Sequence, residues 1–162
     1  MTILTDEITR QTRNAVIGNI LGHAGITYWV KQDLTAISPY GAEGYYADFL
    51  VTGFLFCSIL ACIYVFLFRS RTRQSGFADA SLERPRWVPA NPWMPILIAG
   101  LAGLASVLLP LLIFVVIAGA QALSPMAVAV SKGLWAGASA AIVVPLSIRY
   151  GVASVQQQSD WA

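Results

Sequence analysis

The sequence predicts an all-α integral membrane protein, a bundle of four transmembrane helices with both ends on the cytoplasmic side. Three observations predict it. Of 162 residues, 57% are hydrophobic and 11% charged, against about 45–50% and about 25% in a soluble domain. A soluble core of this size could not hide so much apolar surface, so lipid must cover the excess. The apolar residues also gather in long runs bounded by arginine, proline and aromatic side chains. Finally, a four-span threading puts every arginine on one side of the membrane, the side that retains cationic loops.

The elements follow in chain order. Thr5 is placed to cap a helix, with Asp6 and Glu7 in its first turn, where carboxylates favour the positive helix end. Asp6 and Arg10, four apart, are spaced to pair on the exposed face. This turn leads into the first span, Asn14 to Val30, which is short and the least hydrophobic of the four. No small-residue cleavage site follows it, so it is expected to stay in the mature chain. A polar connection follows. Tyr28, Trp29, Tyr40, Tyr45 and Tyr46 flank it as an expected interfacial aromatic belt.

The second span, Phe49 to Phe68, carries no charge and is stopped by Arg69, Arg71 and Arg73. Residues 69–93 form a basic cytoplasmic linker, in which Pro85, Pro89 and Pro92 exclude a long regular helix, and Trp87 and Trp93 suit the headgroup layer. The third span is Pro95 to Ala120, bent at Pro110. Gln121 to Pro125 reads as a tight turn, making spans three and four an antiparallel hairpin. The fourth span, Met126 to Val152, contains Lys132 and Pro145, and a loose polar tail is expected from Ser154.

Arg10 and Arg13, the five arginines between residues 69 and 86, and Arg149 then share one side, while Lys31 lies opposite with Asp33, Glu43 and Asp48. The chain makes one integral membrane domain, and a net charge of +2 gives no reason to expect nucleic acid.

Lipid tails are as apolar as leucine, so small residues and polar contacts must hold such helices together. Gly18 and Gly22, Ala99 and Gly103, and Gly133 and Gly137 each make a small-xxx-small step. They serve packing within one bundle, or a surface for self-association or for another subunit. Cys57 and Cys62 are roughly 140° apart on a helix and cannot pair with each other there.

Ionisable groups in a membrane cost roughly 2.5–3.5 kcal/mol at the centre on insertion scales, which makes each one a candidate for function. Asn19, His23 and Thr27 lie four apart, on one polar stripe expected to face the bundle interior. The stripe suits an interhelical hydrogen-bond seam, a proton relay, or a pigment or haem ligand at His23. With one histidine in the chain, a haem ligated by two histidines of the same chain is excluded. Lys132 is placed to pair with Asp48 or to snorkel outward, and could alternatively contact an anion or substrate. No nucleotide loop, no zinc-protease or serine-hydrolase signature and no carboxylate cluster is present, so no enzyme activity and no obligatory cofactor are expected.

The stretch Asn14-Ala15-Val16-Ile17-Gly18-Asn19, the acid-led Asp48-Phe49-Leu50-Val51-Thr52-Gly53-Phe54-Leu55 and the basic middle loop resemble those of small uncharacterised four-span proteins of the bacterial inner membrane. The resemblance implies a multi-pass protein of that membrane and carries no activity with it. The leading expectation is an accessory or scaffolding subunit that packs against other membrane proteins or itself. A small-solute transporter or channel protomer with a polar path at an oligomer interface is one alternative. A cofactor-binding subunit of an electron-transfer or light-harvesting complex, using His23, is another.

Overall fold

The computed structural model describes residues 3–41, 44–74 and 91–159, the side chains of 118 and 156–159 excepted. It contains four helices, α1 (Ile3–Lys31), α2 (Tyr45–Gln74), α3 (Trp93–Ala118) and α4 (Pro125–Ser159). Among the described residues there is no strand beyond a single bridge between Ile37 and Leu123. Three helices are long and apolar enough to cross a membrane: Tyr45–Gln74, Trp93–Ile117 and Pro125–Val155. α1, with 29 residues, has the length but not the apolarity. Most of the expected linker, with Arg84, Arg86 and Trp87, lies outside the described residues, as do Glu43 and the last three residues.

The helices pack in the order α1–α4–α2–α3, with α4 between α1 and α2 and with α3 on the far side of α2. α1 is antiparallel to α4, because Gly133 and Gly137 meet Ile20 and the turns on either side of it. α2 is parallel to α4, from Asp48–Lys132 at one end to Val65–Gly151 at the other. The start of α1 and the end of α4 therefore lie at the same end of the molecule. The expected hairpin of the third and fourth spans is corrected by this order: α3 and α4 are joined by a short connection but scarcely touch. The connection from α1 to α2 folds back between them. Ile37 donates to the Leu123 carbonyl at 2.8 Å and accepts from Leu123 N–H at 3.0 Å. Its side chain packs with Tyr45, Phe49, Val107 and Val128.

Small residues set the closest approaches. At Gly53 and Gly103 the backbones of α2 and α3 meet, and Gly103 also faces Cys57. Gly100 lies against Ser58 and Phe54, and Gly151 against the Val65 carbonyl. A stripe of Gly53, Cys57 and Ala61, each four residues on, is buried along α2. That spacing was readable in the sequence and marks the face of α2 better than its uniform hydrophobicity does.

Several boundaries differ from expectation. α1 already begins at Ile3, so Thr5 does not cap it, and the Thr5 carbonyl instead accepts from Thr9 Oγ1 at 2.9 Å. α3 stops at Ala118 because Gly119 adopts φ +72°, a conformation glycine tolerates best. α4 continues to Ser159, into the tail expected to be loose from Ser154, and Ser154 itself is buried. Within the expected belt, Trp29 and Tyr40 are largely exposed, but Tyr45 is buried and donates to the Gln121 carbonyl at 2.9 Å. A ring needed to fill the space between α2, α3 and α4 wins over the interface.

At the other end, Glu7 replaces Asp6 as the partner of Arg10. It also accepts from Gln11 Nε2 at 2.9 Å and from Arg71 Nη1 of α2 at 3.0 Å. The reason is spacing to α2: Glu7 sits on the face that meets Arg71, and Asp6 points to solvent. The Gln11 amide, then the Arg10 and Arg71 guanidiniums, hold the Glu7 carboxyl below its ordinary 4.5, against a burial that pushes it up. A depressed carboxyl stabilises the fold above its unfolded pKa and loses that contribution as pH falls through the folded value. Wild-type protein should therefore show a drop in Tm as the pH is lowered through and below about 4.5, and Glu7→Gln should remove that part of the drop. A Tm–pH curve of the variant that parallels the wild type would contradict this.

Candidate functional site

Three of the polar residues singled out from the sequence, Thr27, Asp48 and Lys132, converge at the end of the molecule away from the start of α1 and the end of α4. There the last turns of α1 and the first turns of α2 and α4 border an open cavity of about 710 Å³. Lys132 enters α4 seven residues after Pro125, so it lies roughly 10 Å along the helix. Its Nζ donates to Asp48 Oδ1 at 2.6 Å. Asp48 also accepts a long contact from Thr52 Oγ1 at 3.4 Å. The Lys132 side chain is 10% exposed and that of Asp48 26%. The pair thus sits in the cavity floor. Thr27, buried on α1, and Lys31 and Asp33 complete the polar lining. The remaining wall is aliphatic, from Ile26, Val30, Leu34 and Val51.

The Asn19–His23–Thr27 stripe does face inward, with Thr27 buried and the other two half-buried. Its members do different things. Asn19 Nδ2 donates to the Ala15 carbonyl of its own helix at 2.7 Å, rather than across helices. The His23 ring stands edge-on to Phe56 of α2, 4.7 Å between centroids and 78° between planes. It lies within electrostatic reach of Lys132 and Asp48. Only Thr27 reaches the cavity itself.

A second cavity, of about 320 Å³, separates α3 from α4. Phe49, Val107, Leu111 and Val128 line it, and Trp135 Nε1 donates to Ser106 Oγ at 3.1 Å across its edge. Sequence reading missed this contact. An isolated Trp–Ser pair 29 residues apart leaves no periodic signal. Among the described residues, no three His, Cys, Asp or Glu side chains stand close enough to hold a metal ion. The two cysteines are free, with Cys57 buried.

The small-residue steps divide sharply. Gly133 and Gly137 meet α1, and a Cβ at Gly133 would stand 2.7 Å from the Ile20 carbonyl oxygen and 2.8 Å from the Ala24 Cβ. Gly103 meets α2, while Ala99 stays half-buried beside it. Gly18 and Gly22, expected to pack, face open space together with Gly25. Of nine helical glycines in the described residues, the six on α2, α3 and α4 each abut a neighbouring helix, and the three on α1 abut nothing. These positions lie at i, i+4 and i+7, hence on one face. Within this chain they are not packing residues. The fold and its apolar helices fit an integral membrane protein in contact with a lipid bilayer, and comparison of the chain with protein-family models, curated proteins and solved structures found no match that would add a family to that description.

Proposed function

We propose that this protein is a small, non-enzymatic accessory subunit, embedded by four helices in a bacterial inner membrane with both ends in the cytoplasm. Another membrane protein, or a second copy, packs on the outer face of α1. The observation that carries this reading is the contrast among the helical glycines: only those of α1 have nothing in front of them. A bare glycine face lets a partner backbone approach closely. The same helix is the least apolar of the four, and the face is flanked by exposed Asn14. Lipid alone solvates such a helix poorly, whereas a partner helix can offer both close packing and hydrogen bonds. The arginine distribution supports the orientation, and the sequence resemblance supports the membrane.

Purification in mild detergent, followed by size measurement and mass spectrometry, tests the reading. A stoichiometric partner or a dimer is expected, and Gly22→Leu should release it without loss of helicity. A wild-type chain recovered alone as a monomer would defeat the proposal. Tags at the two ends should both be accessible from the cytoplasmic side.

A further inference from the structure

We infer that the 710 Å³ cavity over the Asp48–Lys132 pair is a binding site for a net-neutral zwitterion that carries a primary ammonium, an oxyanion and an aliphatic portion. Three features of the cavity point to this chemistry.

The first is incomplete hydrogen bonding. An ammonium has three N–H donors, and Lys132 uses one of them on Asp48 Oδ1. The side chain is nine-tenths buried and ends in the cavity. The remaining donors, and the other carboxylate oxygen, are offered to whatever fills it. A buried charge pair is stable only when such remaining positions are satisfied.

The second is charge balance. The buried pair sets one ammonium, Lys132, and one carboxylate, Asp48, side by side in the lining. A free anion or cation of appreciable charge would face as much repulsion as attraction. A dipolar ligand can place its ammonium at the carboxylate and its oxyanion at the Lys132 ammonium.

The third is the wall. Ile26, Val30, Leu34 and Val51 are 48–66% exposed, so they open the cavity sideways on the outside of the molecule. A purely aqueous vestibule gains nothing from this aliphatic lining. An amphiphile gains contact along it. The depth agrees: Asp48 stands in the first turn of α2 and Lys132 two turns into α4, the level at which a spanning helix passes from headgroups to hydrocarbon.

Two sources present this chemistry. A phosphatidylethanolamine headgroup presents it from the bilayer, and an aliphatic amino acid such as leucine from solution. Native mass spectrometry of the full chain, offered phosphatidylethanolamine, phosphatidylcholine and phosphatidylglycerol with identical acyl chains, separates them from each other when run beside binding of labelled leucine. With the lipid source, phosphatidylethanolamine should be retained about tenfold better than the other two, the loss of roughly one charge-assisted hydrogen bond, and leucine should not displace it. With the soluble source, leucine binds saturably and the lipids are equivalent. Either binding should vanish in the double variant Asp48→Asn with Lys132→Met, which leaves no lone buried charge, and circular dichroism should show that variant to be folded. The inference is overturned if folded wild-type protein shows neither lipid preference nor saturable leucine binding, or if the double variant binds as the wild type does.

Discussion

Lys132→Met should lower the stability of the detergent-solubilised protein by about 3 kcal/mol, the low end for breaking a buried ion pair. The pair is short, 2.6 Å, and the lysine is nearly inaccessible, but a quarter of the Asp48 side chain remains open. Removing the ammonium leaves a partly buried carboxylate whose other hydrogen bond among the described residues is the long one from Thr52 at 3.4 Å. The cost comes from the charge left behind more than from the bond lost. Adding Asp48→Asn should therefore recover most of the stability, because neither buried charge remains. Denaturation by graded SDS, read by circular dichroism, gives all three values. If the single variant loses no more than the double, the pair does not hold α2 and α4 in register. Asp48→Asn alone should be at least as harmful, since it strands the more buried partner.

Gly103→Leu should be the most damaging small-to-large change in the helices. A Cβ at this position would lie 2.7 Å from the Cys57 Cβ and against the Gly53 carbonyl. Backbone cannot yield as a flexible side chain does, so α3 must move off α2. Overpacking of this kind costs about 1–3 kcal/mol, occasionally more. α3 has no second extensive interface to retain it, as it scarcely touches α4. The expected outcome is detachment of α3, seen as enhanced proteolysis in the connections at both its ends and as reaction of Cys57 with a thiol reagent that does not label the wild type. Gly18→Leu is the matched control. With open space before it, the isolated chain should change by less than about 0.5 kcal/mol, as for a surface substitution. Equal damage at both positions would show that the α2–α3 contact is not set by backbone approach.

The two experiments separate what can be read along the chain from what cannot. Hydropathy and the clustering of arginines are local properties. They suffice to place helices over α2, α3 and α4, because each run either can or cannot replace water by lipid without neighbours. They also bring Lys132 and Asp48 to the same end, since alternating spans force that outcome on any threading. The polar stripe Asn19, His23 and Thr27 follows from 3.6-residue periodicity, and its inward direction follows from the cost of polar groups in lipid.

Which helices touch is a different matter. Gly18 with Gly22 and Gly133 with Gly137 carry the same pattern, yet the second pair meets a neighbour and the first meets none. A small residue permits close approach without naming the helix that approaches. That choice depends on all faces at once, and here Ile37, from a loop without periodic signal, is buried in one cluster with Val107 of α3 and Val128 of α4, while α3 packs on the far side of α2. Likewise Glu7 rather than Asp6 holds Arg10, because Arg71, distant in sequence, stands beside it in space. The sequence by itself determined which runs, those of α2, α3 and α4, are apolar enough to exchange water for lipid, because that depends on side chains within one run. The tertiary structure alone decided helix order, the engaged glycines and the cavity over the ion pair, because these arise from surfaces that must fit one another in three dimensions.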